Sequence, residues 1–347
     1  LTAGEYVREF EEEFAKYLKI EHVVGLNSCT AALHLSLLAL GVKPGDEVVT
    51  TPMTFIATAT PIIHCGAKPI FADVEPDTGL IDVGRIEHVI TKRTKAIIPV
   101  HLYGQMCDMK RMREIADRFG LKIVEDAAHC IEGERDGIKP GQLSDVVCFS
   151  YYATKNITSG EGGAIATRHK AIAERIKTLR MHGMSKEAID RYAGYYRHWD
   201  MIECGWKYNM DNIQAALLLP QLKKIDDYWA KRRQLYNAYV RAIDPLPGVA
   251  YPKIIKNAKS AYHLLTVWVS NTKRDAILKG LGDAGIGVAV NYRAIHLLRY
   301  FKDTFGFNKG DLPNAEDIGD RTLTLPFYIG LEEHEIDFVV NTLEKLL

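Results

Sequence analysis

The chain carries no surplus of charge: 44 Lys and Arg balance 44 Asp and Glu. That removes the broad attraction on which nonspecific nucleic-acid binding rests, and no run of five like charges supplies a local substitute. No apolar stretch approaches the roughly 18 residues that suggest a membrane span. The six cysteines, at 29, 65, 107, 130, 148 and 204, contain no C-x-x-C pair. Neither a zinc knuckle nor a small disulfide scaffold is therefore expected. Cys65, Cys107 and Cys148 stand in or beside apolar runs, where thiols act as small hydrophobes, and a reducing, cytoplasmic setting is the expectation. The opening LTAGEYVREFEEEF is acidic, with no basic segment leading into an apolar one, so no secretory leader is read in it.

What is present is ordinary globular material, 47% apolar and 25% charged. At about 150 residues per domain the length corresponds to roughly 2.3 domains. Val7, Phe10, Phe14 and Leu18 recur at helical spacing. Thereafter short apolar runs alternate with helical stretches. Strands are expected at His22–Gly25, Glu47–Thr50, Pro69–Val74, Ala96–His101, Leu121–Glu125, Val146–Ser150 and Gly163–Thr167. Helices are expected at Thr30–Leu40, Phe55–His64, Val83–Ile90 and Met109–Phe119. This alternation implies right-handed crossovers and a mainly parallel sheet covered on both faces.

From Asp211 the pattern changes to some thirty helical positions broken only by Pro220, which predicts two helices or one bent one. Beyond it come a strand (Tyr262–Val269), a helix (Arg274–Ala284), a strand (Gly287–Asn291) and a final helix (Glu333–Leu346). The expected fold is α/β, a large domain over 1–230 with a seven-stranded, mainly parallel sheet between helices. A smaller α+β domain is expected over 231–347.

Three segments carry candidate chemistry. In VVCFSYYATKNITSGEGGAIAT an apolar strand stops at Ser150 and a polar turn holds Lys155. Any one lysine is far more often a solvated surface charge. Just past a strand end, in the zone where open α/β sheets hold ligands, a desolvated lysine becomes a nucleophile. In LKIVEDAAHC a strand ends on Glu125-Asp126. Asp126 reads as a cofactor partner or general base, or more blandly as a helix cap; no metal-ligand spacing lies nearby. In GLNSCTAALHLSLLAL a small-residue turn opens a helix at Thr30, an anion site by its free N–H groups. That segment has neither the dinucleotide glycine fingerprint nor a P-loop. Together a phosphate cradle, a strand-end aspartate and a strand-end lysine are what pyridoxal 5′-phosphate demands.

With these motifs the sequence resembles the DegT/DnrJ/EryC1/StrS family of sugar aminotransferases, a branch of the PLP-dependent transferase fold type I, over nearly its whole length. The resemblance of EDAAH implies that Asp126 pairs with the pyridine nitrogen and that His129 lies near the ring's 3-hydroxyl. That of FSYYATKNITSGEGG implies Lys155 as the Schiff-base residue and Ser150 as a phosphate ligand. SCTAAL brings in Cys29 and Thr30 at the phosphate, and TPMTFIAT brings in Phe55 stacked on the ring. GWKYNMDNIQAAL implies that Asn209 reaches the phosphate of the neighbouring subunit, hence a homodimer with shared active sites. Tyr152 stands where many relatives carry His, and Cys29 where they often carry Gly or Ala.

The implied reaction is ping-pong amino transfer from L-glutamate to a keto-sugar nucleotide. NYRAIH and LPNAEDIGDRTLTLPFYIG resemble enzymes that aminate C4 of UDP-linked 4-keto sugars, with Tyr292 and His296 near the sugar. A lysine-retaining dehydratase, a lyase or a desulfurase keeps the same cofactor set. A non-enzymatic regulator on this fold is expected to lose Lys155, Asp126 or Ser150, and all three are present.

Overall fold

The computed structural model describes residues 4–185 and 198–347. Its first half runs α1 (Glu5–Leu18), β1 (His22–Leu26), α2 (Cys29–Ala39), β2 (Glu47–Thr50), α3 (Thr60–His64), β3 (Lys68–Phe71) and α4 (Val83–Val89). It continues with β4 (Thr94–Ile98), α5 (Met109–Phe119), β5 (Lys122–Asp126), the short β6 (Glu134–Arg135), β7 (Val146–Ser150), β8 (Gly163–Thr167) and α6 (Lys170–Leu179). Seven of these strands form one sheet in the order β1-β8-β7-β5-β4-β2-β3. Only β8 runs against its neighbours; β7, β5, β4, β2 and β3 are parallel. The central strands are buried at nearly every position, as a sheet covered on both faces requires. The apolar stripe of α1 buries Val7, Phe10, Phe14 and Leu18.

Because β1 and β7 are both antiparallel to β8, the ends of β1, β2, β4, β5 and β7 share one edge of the sheet. Gly163 opens β8 at that edge, paired with Leu26 on one side and Ser150 on the other. A Cβ on Gly163 would come within 2.3 Å of the Ser28 carbonyl carbon. Glycine there lets the turn into α2 lie directly on the sheet.

The second half comprises α7 (Asn212–Leu222), α8 (Ile225–Ile243), β9 (Ala258–Lys259), β10 (Leu265–Trp268), α9 (Arg274–Asp283), α10 (Arg299–Phe305), α11 (Pro313–Arg321), β11 (Thr322–Leu325) and α12 (Glu333–Leu346). The helical run after Asp211 is thus two helices, parted at residues 223–224 shortly after Pro220. Residue 230 falls inside the unbroken α8. A separate apolar cluster joins α8, α9 and α12 to the antiparallel pair β10–β11. Ala261, Ala294 and Ile295 instead pack into the core of the first half, and the Ile295 N–H bonds the Pro52 carbonyl just beyond β2.

Two expectations are corrected. Gly287–Asn291 is not a strand: Ala289 alone bridges to Thr324, so the segment crosses β11 rather than pairing along it. The expected helix Phe55–His64 is a single 3₁₀ turn, Ile56–Thr58, followed by α3. Pro61 has no N–H to continue a helix from upstream but fits the first turn of a new one.

Candidate active site

At the shared edge lies a cavity of about 640 Å³ whose walls include Ser28, Cys29, Thr30, Asp126, Ser150 and Lys155. Its floor at one end is the N-terminus of α2. Ser28 is the N-cap, with its Oγ accepting from the Ala31 N–H at 3.1 Å. The Ala32 N–H bonds to the Ser28 carbonyl. This leaves the Cys29 and Thr30 N–H groups for an anion, at the positive end of the helix.

Ser150 ends β7 across the cavity, buried and sharing its Oγ with the Tyr152 N–H at 3.4 Å. Lys155 sits on the turn beyond, where its N–H bonds the Tyr152 carbonyl at 2.9 Å. It is half-buried, and desolvation lowers its pKa, opposed by Cys29 and Asp126. Among the described residues it is the only Lys or Arg on the cavity wall. A desolvated amine with a lowered pKa is a nucleophile.

Asp126, at the end of β5, is buried. Thr58 donates to its Oδ2 at 2.8 Å and the Ala128 N–H to its Oδ1 at 3.1 Å. Burial pushes its carboxyl up; the Thr58 and Ala128 hydrogen bonds, Lys155 and His101 pull it back. A cation placed against this carboxylate would complete the opposition to burial. His129 is buried three residues further on, and burial holds its pKa well below the usual value, Lys155 and His263 acting the same way. Its Nδ1 accepts from the Tyr103 N–H at 3.4 Å and its Nε2 lies 3.2 Å from the Tyr292 hydroxyl.

Phe55 and Tyr152 stand at the mouth, both largely exposed yet on the cavity wall. The Phe55 and Tyr292 rings are 6.0 Å apart. The structure thus gathers Cys29, Thr30, Phe55, Asp126, His129, Ser150, Lys155 and Tyr292 around one space. Asn209 lies off the wall, bridged through its backbone to Leu26 and through its side chain to Lys207 and Met210.

His296 is not on the cavity wall. A 3₁₀ turn, Ile295–Leu297, buries its ring beside Phe71 and Phe307. There its Nε2 meets Glu316 at 3.0 Å. Sequence reading passed over Ser28, Thr58 and Gly163. Ser28 before a helical run was detectable as a cap; Thr58 and Gly163 act through partners distant in sequence, and no local signal marks them.

The donor set matches a phosphorylated aromatic cationic cofactor: helix N-terminus for the phosphate, buried carboxylate for the ring, amine for the carbonyl. The model of the DegT/DnrJ/EryC1/StrS aminotransferase family matches residues 1–344. The chain is 39% identical to the spore coat polysaccharide biosynthesis protein SpsC of Bacillus subtilis, over 100% of this chain and 91% of that one. It is 37% identical to GDP-perosamine synthase of Caulobacter vibrioides, with the same coverage. Among solved structures, the sugar aminotransferase Spr1654 of Streptococcus pneumoniae in its PMP form superposes with a TM-score of 0.93 at 30% identity. The match covers 100% of this chain and 92% of the other, and the same protein is also known in a PLP form.

Proposed function

Because the chain belongs to the DegT/DnrJ/EryC1/StrS aminotransferase family, we propose that it moves the amino group of L-glutamate to C4 of a UDP-linked 4-keto sugar. The enzyme is a PLP-dependent transaminase. The observation that carries the assignment is the meeting of Lys155, Asp126 and the α2 N-terminus on one cavity.

Bound there, pyridoxal phosphate supplies an electron sink for the carbanion formed at the donor's Cα. The chain's residues do the rest. The Cys29 and Thr30 N–H groups and Ser150 would hold the phosphate, and the Asp126 carboxylate would keep the ring nitrogen protonated. Lys155, the amine on the cavity wall, would hold the cofactor's carbonyl carbon and, as a free amine, would move the donor's Cα proton as general base and acid. Phe55 covers the ring. His129, neutral with its proton on Nε2, would stand on the side of the ring's 3-hydroxyl. Tyr292 and His296 are assigned to the sugar side of the site, Tyr292 on the cavity wall and His296 behind it against Glu316. Asn209, near the end of β1, completes the phosphate site of the other subunit of a homodimer. The names of SpsC and GDP-perosamine synthase support an amino-sugar product destined for surface polysaccharide. Among the described residues no helix is long and apolar enough to cross a membrane, in keeping with cytoplasmic work on soluble nucleotide sugars.

The test is direct. Purified protein with cofactor and glutamate is offered UDP-, dTDP- and GDP-linked keto sugars, with the keto group at C3 or C4, and 2-oxoglutarate and the amino sugar are measured. Fastest turnover on a UDP-linked 4-keto sugar is expected. Preference for another nucleotide or carbon overturns the substrate assignment. Dehydration of the sugar without 2-oxoglutarate release overturns transamination.

A further inference from the structure

Behind Lys155 and His129 lies a chain of polar side chains drawn from both halves of the protein, all buried except the half-buried Asn156. Asn156 directly follows Lys155. Its Nδ2 donates to Glu132 Oε2 at 2.9 Å and to the Ala261 carbonyl at 3.1 Å. A carbonyl only accepts, so the amide orientation is fixed. Asn156 Oδ1 must then accept, and its partner is His263 Nδ1 at 3.0 Å. His263 accordingly carries its proton on Nδ1 and leaves Nε2 bare.

The His263 ring packs on His129, with centroids 4.3 Å apart. His129 has the opposite tautomer, since its Nδ1 accepts from the Tyr103 backbone. Burial, and the nearby Lys155 charge, keep both imidazoles neutral, so the two rings face each other without repulsion. At the far end Arg232 of α8 pairs with Glu132 and donates to the Ala261 carbonyl at 3.3 Å. A fixed ion pair thus anchors a hydrogen-bonded line that ends one residue from the reactive lysine.

We propose that Asn156 and His263 are positioning residues that hold Lys155 and His129 in register with each other. The proposal rests on the assignment of Lys155 as the cofactor-binding lysine. Asn156 fixes the backbone immediately beyond Lys155, and His263 fixes the plane of the His129 ring. Neither touches the reacting atoms. A polar cluster serving only to join the two halves of the chain would need the Glu132–Arg232 pair but not the bond from Asn156 to His263.

The experiment compares wild type, His263→Leu and His263→Asn, all as full chains. Leucine keeps bulk and loses the donor, whereas an asparagine amide nitrogen falls where Nδ1 was. Three quantities are read: the dissociation constant for pyridoxal phosphate, the pH midpoint of its visible band, and kcat and KM for the half-reaction with glutamate. His263→Leu should lower kcat roughly ten- to a hundredfold, as loss of alignment does, with KM changed less than about threefold. It should also shift the band midpoint, and His263→Asn should restore both kcat and midpoint. A His263→Leu protein with wild-type kcat and midpoint overturns the proposal. So does His263→Asn as impaired as His263→Leu, which would reduce His263 to packing. Wild-type protein that takes up no cofactor would overturn the underlying assignment instead, a result separable from the other two.

Discussion

The Thr58 hydroxyl donates to Asp126 Oδ2 at 2.8 Å, and Thr54 reaches the same hydroxyl at 2.7 Å. All three residues are buried. A hydrogen bond to the ionised form favours that form, so Thr58 works against the burial that pushes Asp126 toward neutrality. Thr58→Val keeps the shape and deletes the donor. Turnover should fall about tenfold, the scale of one charge-assisted hydrogen bond, while Thr58→Ser stays near wild type. Equal rates for the valine and serine variants would show that the hydroxyl is only filling space.

Asp126→Asn tests the charge itself. The amide keeps the Ala128 contact within reach but cannot balance a protonated ring nitrogen. Turnover should drop by several hundred-fold or more, as loss of a preorganised electrostatic partner does. Cofactor affinity should fall less, since the proposed phosphate donors, Ser150 and the α2 N-terminus, are untouched. Unchanged turnover would leave Asp126 as a local cap for the Ala128 N–H.

These two residues mark the limit of what the sequence revealed. Asp126 stood out because an apolar run stopped on a carboxylate, and Lys155 because a polar turn followed another such run. Both are consequences of strands that end where ligands bind. Pro220 likewise announced the division of α7 from α8. Thr58 reaches Asp126 across 68 positions and Asn156 reaches His263 across 107, so neither pairing leaves a local trace. Gly287–Asn291 looked like a strand because valines alternate there, but only Ala289 finds a partner. His296 is named only through the resemblance of NYRAIH; the turn at Ile295 buries its ring, which no local pattern announces.

His34 of α2 predicts an acid limit to stability. It is buried, with rings of Trp206 and His64 4.9 and 5.7 Å away and no partner for Nδ1. Burial first, and His64 second, lower its pKa from 6.5 to about 4. A folded-state pKa below the unfolded one means the unfolded chain binds more protons between those values. The contribution of neutral His34 is then complete above pH 6.5 and is lost as pH falls toward 4. His34→Leu should remove that loss, on the order of 2–3 kcal/mol. Urea midpoints at pH 7 and 4.5 measure it: the wild type should weaken more on acidification than the variant. Parallel losses would rule His34 out.

The last prediction is that each site draws its Lys155 and its Asn209 from different subunits. Asn209 lies beside Leu26 at the end of β1, yet its side chain turns to Lys207 and Met210 and stays off the wall of its own cavity. The helix that follows has its own cap: Asp211 accepts from the Gln214 N–H at 2.9 Å, and Gln214 returns the bond. Asn209 is therefore not needed as the N-cap, the bland role for an asparagine just before a helix. Ile213 and Leu217 on that helix are exposed, an apolar pair suited to a second copy. Lys155→Ala and Asn209→Ala subunits are mixed and allowed to exchange. If Asn209 acts across the interface, each mixed dimer has one doubly damaged site and one intact site. Activity should then rise toward about a quarter of wild type at equal mixing, since half of the dimers are mixed and half of their sites are whole. If Asn209 serves its own subunit, every site keeps one lesion. Activity no higher than the average of the two parents would then refute a shared site.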